Sequence, residues 1–197
     1  AGSGRIAVCL HEDTSTKVRM ISWNGSSDYT LGTTNTVQAG ASGANADMND
    51  ICYHASEGKL VAVYRDTNNS NVGGCKIGTI SGSGSSLATS WGSEVQFDTN
   101  NPVGMRVAVD ENSGSVVIVY KRTSGTNTEK FHIVAGTISG TSISFGTPTV
   151  IVALNGYNTN YFPPAISYVP GLQKCAVSIV VNNNGVNQRV YTPSTSG

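Results

Sequence analysis

The sequence predicts an all-β chain assembled from a repeated unit of four short strands. Three observations carry that reading: a composition rich in turn-forming residues, apolar runs of strand length between Asn- and Gly-rich clusters, and phrases that return every 54–59 residues or so. Gly, Ser, Thr and Asn together make up about 85 of the 197 residues, the composition of a chain that turns often. No stretch shows a sustained 3.6-residue apolar period with caps, so helices are not expected.

The repeat rests on three anchors. Gly58-Lys59-Leu60-Val61-Ala62-Val63-Tyr64-Arg65 returns as Gly114-Ser115-Val116-Val117-Ile118-Val119-Tyr120-Lys121. An earlier copy is Gly4-Arg5-Ile6-Ala7-Val8-Cys9-Leu10-His11, and a later one begins at Lys174-Cys175-Ala176-Val177. Gly78-Thr79-Ile80-Ser81-Gly82 recurs as Gly136-Thr137-Ile138-Ser139-Gly140. Each is followed by an aromatic-Gly step, Trp91-Gly92 and Phe145-Gly146, a place that Leu31-Gly32 fills in the first copy. Asp50-Ile51-Cys52-Tyr53, Met105-Arg106-Val107-Ala108-Val109-Asp110 and Ala165-Ile166-Ser167-Tyr168 read as the closing strand of each unit.

Taken in order in the second unit, the first strand covers residues 59–65, a continuous apolar run of the kind found where a strand is covered on both faces. A turn over 66–74 leads to a second strand near 75–81, a third near 91–97 and a fourth near 105–110. Asn112-Ser113-Gly114 opens the next unit. Pro102, Pro148, Pro163, Pro164 and Pro170 fall at strand ends or turns, where a missing N–H does least harm.

Four strands in about 50 residues is the pattern of a β-propeller blade, which cannot bury both faces alone and must stack on neighbours. The expected fold is therefore a β-propeller-like array of four-stranded antiparallel blades, with units near 1–55, 56–112 and 113–170 and a partial unit 171–197. The apolar strand of each unit is expected innermost. The partial unit holds two strands, 174–181 and 186–191. Closed propellers take ~4 to 8 blades, so the expectation is part of a larger ring, a ring completed by another chain, or an open stack. Unpaired sheet edges need pairing, covering or charge, and Lys174 and Arg189 are the only ionised side chains after Pro170. Contact with other protein chains through the terminal units follows, in a homo-oligomer or a virion or filament assembly.

The 12 basic and 12 acidic side chains cancel, leaving no field to attract nucleic acid or an anionic membrane. No apolar run approaches the ~20 residues that cross a bilayer. Neither nucleic acid nor membrane insertion is expected. The chain begins Ala1-Gly2 without an initiator Met or a signal-peptide pattern, which reads as processed, trimmed or a fragment. Cys9, Cys52, Cys75 and Cys175 form no CxxC pair and lie in apolar or strand-like runs. That favours buried thiols over a structural metal, with one disulfide left open.

Residues 58–66, the Asn/Ser turn after them and the phrase Gly136-Thr137-Ile138-Ser139-Gly140-Thr141-Ser142-Ile143-Ser144-Phe145-Gly146 resemble the repeats of bacteriophage tail fibres and other virion-associated proteins of marine phages. The resemblance covers the second and third units well, the first loosely and the fourth over one strand. It departs at 83–90, where about four extra residues stand, and at Arg122, where the pattern has Asp. The resemblance implies a β-propeller-like module in a virion or extracellular setting, used for assembly or host attachment, with no catalytic residues to transfer and no cofactor.

Other chemistry has weak support in the residues. His11, His54 and His132 differ in position within the unit, and no G-x-S-x-G, H-E-x-x-H or Walker loop is present. Glu94 and Glu111 lie at unlike places, and the six arginines are scattered, so a glycosidase is not expected. Asp47, Asn49 and Asp50 could offer oxygen ligands to Ca²⁺ but lack the Gly of a calcium loop; they read as a polar loop, and no metal is expected. Trp91 and Phe145 share a repeat position and so read as packing. Trp23 has no equivalent in the other units, and with Tyr29 it is the candidate ligand-binding site, a cell-surface glycan being the ligand. Asn24-Gly25-Ser26 and Asn68-Asn69-Ser70 fit the glycosylation sequon, as expected by chance in so Asn-rich a chain. The function expected is a non-enzymatic virion structural or attachment module. The alternative is a secreted lectin-like β-propeller binding glycans at repeated pockets. The loops Asp13-Thr14-Ser15-Thr16, Thr67-Asn68-Asn69-Ser70 and Thr123-Ser124-Gly125-Thr126 differ between units, which favours the first.

Overall fold

The computed structural model describes residues 4–12, 15–23, 28–39, 49–125, 130–152, 163–180 and 186–191, and these form an all-β structure of four antiparallel sheets. Sheet I consists of β1 (Gly4–Glu12), β2 (Ser15–Trp23) and β3 (Tyr29–Gln38). Sheet II runs β4 (Asn49–His54), β5 (Lys59–Asp66), β6 (Val72–Ser81), then β7 (Ala88–Trp91) and β8 (Val95–Asp98), which share the far edge of β6. Sheet III repeats this with β9 (Pro102–Asp110), β10 (Ser115–Arg122), β11 (Phe131–Ser139), β12 (Ser142–Phe145) and β13 (Thr149–Val152). Sheet IV holds β14 (Ala165–Val169), β15 (Lys174–Val180) and β16 (Val186–Tyr191).

The sheets pack face to face through three apolar layers, and the strand pattern shows why. Along β5, Leu60, Ala62 and Tyr64 join Val18, Met20 and Val37 of sheet I. The alternate residues Val61 and Val63 join Val116, Ile118 and Tyr120 of sheet III. Along β10, Val117 and Val119 turn the other way, onto Cys175, Val177 and Ile179 of sheet IV. A strand with neighbours on both faces needs apolar residues at every position, so these runs do not alternate.

Three expectations are corrected. Hydrogen bonding divides the chain one strand earlier than the units 1–55, 56–112, 113–170 and 171–197: β4 pairs with β5, β9 with β10 and β14 with β15. The cause is local, because the turns at 55–58 and 111–114 are too tight to do anything but fold each closing strand back onto the next apolar strand. The apolar strands β5, β10 and β15, expected innermost, lie second in their sheets, and it is the edge strands β4, β9 and β14 that meet from sheet to sheet, β9 against both β4 and β14. The strand expected at 91–97 is broken: β7 ends at Trp91 and β8 begins at Val95, and the Gly92 N–H between them donates to Ile77 O at 2.9 Å. Gly146 repeats that bond to Ala135 O at 3.0 Å. The aromatic-Gly step is thus a kink in the outer strand.

Polar contacts stitch sheet to sheet. Asp50 Oδ2 accepts the Val107 N–H at 2.9 Å, and His54 Nε2 lies 2.8 Å from Gly114 O, both joining sheet II to sheet III. Lys76 Nζ donates to Val37 O at 2.7 Å, and the Thr33 N–H to Leu87 O at 2.9 Å, joining sheets I and II. Gly32 lies so close to Leu87 O that a Cβ there would sit 2.3 Å from it; at Gly92 the Thr141 carbonyl of sheet III stands in the same place, 2.0 Å from a Cβ. The same joint therefore recurs at two successive sheet contacts.

Candidate functional site

Trp23 and Tyr29, named from the sequence, stand directly opposite each other in the β2–β3 ladder, with Gly4 on the far side of Trp23. In the next row Ile21 lies between Ile6 and Leu31. Because Val18 and Met20 face sheet II, these odd-numbered β2 residues and their partners face outward. The result is an apolar face with Ile6 54%, Trp23 39%, Tyr29 67% and Leu31 42% exposed. Ile6, Ile21, Trp23 and Tyr29 line a shallow groove of about 350 Å³ on it. Further along, Arg19 opposes Val8 and Lys17 opposes Leu10, so the face is apolar at one end and basic at the other.

Register assigns Trp23 the counterparts that residue type hides. The pair Ile21–Leu31 corresponds to Gly78–Trp91 in sheet II and Gly136–Phe145 in sheet III. One pair along, Trp23–Tyr29 corresponds to Ile80–Thr89 and Ile138–Ile143. Ile80 and Trp91 pack in the layer shared with sheet I, and Ile138, Ile143 and Phe145 in the layer shared with sheet II. The packing read for Trp91 and Phe145 is what these contacts show. The expectation that Trp23 is without an equivalent is corrected. Its position is, in sheets II and III, the one covered by the preceding sheet. Ile6, Ile21 and Leu31 escaped the sequence reading because an outward apolar row looks like core; the shared register was the signal that could have found them.

The polar clusters are buried and serve packing. The Tyr120 hydroxyl and Arg122 Nε of sheet III both donate to Asp98 Oδ2 of sheet II, at 2.5 and 2.6 Å, while the Asn100 N–H donates to Asp98 Oδ1 at 2.8 Å. Burial works to raise the Asp98 carboxyl, but these donors from Tyr120, Arg122 and Asn100 outweigh it and hold it below the ordinary range. The departure at Arg122 thus has a partner. His132 stacks on Tyr120 with ring centroids 5.7 Å apart, and burial followed by the Arg122 charge lowers its basicity. In sheet II, Tyr64 donates to Glu94 Oε2 at 2.7 Å, and burial raises both groups. A phenol held this firmly protonated is a pin and not a nucleophile.

The remaining candidates stay apart. His54 and His132 lie in different sheets on different backbone partners, and the His11 side chain lies outside the described residues. Among the described residues no three His, Cys, Asp or Glu side chains form a metal cluster. Asp47 and the side chain of Asn49 fall outside them, and Asp50 is engaged by the Val107 N–H, with burial raising its carboxyl. Glu111 is exposed in a turn, and Asn24 lies outside the described residues while Asn68 is exposed. The four cysteines are free; burial pushes the Cys9 and Cys175 thiols up to about 12 and those of Cys52 and Cys75 higher still. A cavity of about 600 Å³ opens between sheets I and II, with Met20, Ile51, Leu60 and Ile80 in its walls. No family model, no curated protein and no solved structure matches this chain.

Proposed function

We propose that the chain is a non-enzymatic structural and attachment module of a virion, of the tail-fibre, spike or capsid-surface kind, in which the four sheets act as blades of a propeller-like array. The observation that carries the reading is the repetition of one sheet-to-sheet joint by the same register positions. The edge strands β4, β9 and β14 meet from sheet to sheet, and the glycine that follows Leu31 in sheet I and Trp91 in sheet II abuts the next sheet, at Gly32 and Gly92. Such an array is a rigid spacer and platform whose variable turns lie outside its core. The phage-like phrases fall on the strands that build the joint, β5 to β6 and β11 to β12.

The lectin-like alternative draws on the exposed Trp23–Tyr29 pair. It requires a like pocket in each blade, whereas the corresponding pairs Ile80–Thr89 and Ile138–Ile143 are in packed layers. Two assays separate the readings. On the virion reading the coding sequence lies among capsid and tail genes, and peptides of the chain co-sediment with purified particles. A free secreted protein that binds one glycan class on an array, with no particle association, would overturn it.

A further inference from the structure

The geometry points to the cavity between sheets I and II as a binding site for a small organic anion with an apolar body, an aliphatic or aryl carboxylate. The inference stands apart from the virion reading and from the Trp23–Tyr29 pair, because it concerns the opposite face of sheet I. A volume of about 600 Å³ is that of sites which enclose one small ligand. The apolar walls come from both sheets, Ala7 of β1 and Met20 of β2 on one side and Ile51, Leu60 and Ile80 on the other. Met20 and Leu60 are 1% and 2% exposed and form the floor, whereas Arg5 and Tyr53 are exposed and stand at the mouth. An apolar floor below an open mouth takes up a hydrocarbon group by removing it from water.

The polar groups of the wall are of one kind. Arg5, Ser22, Tyr53 and Ser83 bring a guanidinium and three hydroxyls to the cavity, all able to donate, and no carboxylate stands among its described lining residues. Arg5 and Ser22 are directly opposed in the β1–β2 ladder, and side chains alternate along a strand, so both face sheet II with Ala7 and Met20. Tyr53 is opposite Leu60, which packs toward sheet I, so it rises from the facing wall. The register pair of Arg5–Ser22 in sheet II is Lys59–Thr79, where Lys59 Nζ donates to Thr79 Oγ1 at 2.8 Å. The basic–hydroxyl pair is therefore a property of the repeat. In sheet I it opens onto a cavity, with Ala7 standing where sheet II has Val61 and Ser22 where it has Thr79, each the smaller residue. A guanidinium offers a carboxylate two parallel donors, and the described walls hold no acid to receive a cationic head. An anionic head at Arg5 with its hydrocarbon part on Met20 and Leu60 uses both halves of the lining.

The test titrates sodium octanoate, and octanol as its neutral counterpart, into the full chain labelled at Ala, Ile, Leu and Met methyls. The expected result is saturable shifts at Met20, Ile51, Leu60 and Ile80, with octanoate binding more tightly than octanol. Arg5→Gln should weaken octanoate about tenfold, the worth of one charge-assisted hydrogen bond, and leave octanol unchanged. Ala7→Leu, which fills the cavity from the sheet I wall, should abolish both; Ile80→Phe narrows the same space from sheet II and takes its place if far-UV circular dichroism shows Ala7→Leu unfolded. The absence of saturable shifts at these methyls, or shifts confined to Ile6, Ile21 and Leu31 on the outer face, overturns the site. Octanol binding as tightly as octanoate, or Arg5→Gln weakening both alike, overturns the anionic ligand.

Discussion

Gly78 faces Trp91 across the β6–β7 ladder and Gly136 faces Phe145 across β11–β12, but the matching pair of sheet I is Ile21 with Leu31. The chain therefore carries one site in two chemistries, a glycine beneath an aromatic ring or two aliphatic side chains. A Cβ at position 78 would stand 2.6 Å from Trp91 Cζ3 and 2.9 Å from two further ring atoms. That is about 1 Å inside ordinary carbon–carbon contact, and the ring is held by the layer between sheets I and II. Gly78→Ala is expected to cost about 1–3 kcal/mol, and Gly78→Ile more. Trp91→Leu gives up a half-buried ring whose indole N–H is buried without an acceptor among the described residues. Its cost should accordingly fall below the ~3–5 kcal/mol typical of deleting a core aromatic. The double variant Gly78→Ile/Trp91→Leu recreates the sheet I pair. It should be more stable than the sum of the single variants by ~1 kcal/mol or more, within the usual range for residues in contact. Urea denaturation followed by far-UV circular dichroism measures all four corners of the cycle. Additivity within ~0.5 kcal/mol would refute the claim that ring and glycine specify each other.

Asp98→Ala leaves the Tyr120 hydroxyl and the Arg122 guanidinium without their shared acceptor, so it should cost about 3–5 kcal/mol, more than the ~1–2 kcal/mol of Tyr120→Phe; the reverse order in denaturation midpoints would contradict the inter-sheet pin. His132 has its folded-state basicity lowered by burial and Arg122, so the unfolded chain takes up its proton first on acidification. Its contribution is present above the unfolded value of ~6.5 and lost below it. The stability gap between the parent and His132→Gln should then narrow from pH 7.5 to pH 5, and a constant gap would contradict this. Cys75 and Cys175 are fully buried thiols and should react with a disulfide reagent only on unfolding; rapid labelling of either in the native protein would show that its layer is open.

How much of this was legible depended on whether a feature was local in the chain. The runs of β5 and β10 read correctly because burial on both faces writes itself as uninterrupted apolar sequence. The last unit's two strands, now β15 and β16, fell within a residue of their expected ends. Sheet phase was not legible, since a repeat has no marked origin and the anchors keep the same order wherever the unit is cut. Only the hydrogen bonds of β4 to β5 and β9 to β10 choose the cut. The aromatic-Gly step was visible as a phrase, but the clash it avoids depends on the ring crossing the ladder onto Gly78 or Gly136. The pin of Asp98 to Tyr120 and Arg122 spans two sheets and left no motif. At the candidate face, Trp23 and Tyr29 stood out as aromatics; their aliphatic neighbours did not, because outward and inward apolar rows look alike until the register is known.

The account's central claim is that alternate residues of β5 and β10 belong to different layers, so that sheets II and III each lie between two neighbours. Methyl–methyl nuclear Overhauser effects in a protein labelled at Ala, Ile, Leu, Met and Val test it directly. Leu60 and Ala62 should see Val18 and Met20, Val61 and Val63 should see Val116 and Ile118, and Val117 and Val119 should see Val177 and Ile179. Contacts from Leu60 or Ala62 to Val116 or Ile118, or from Val117 to the methyls of sheet II, would contradict the stacking order.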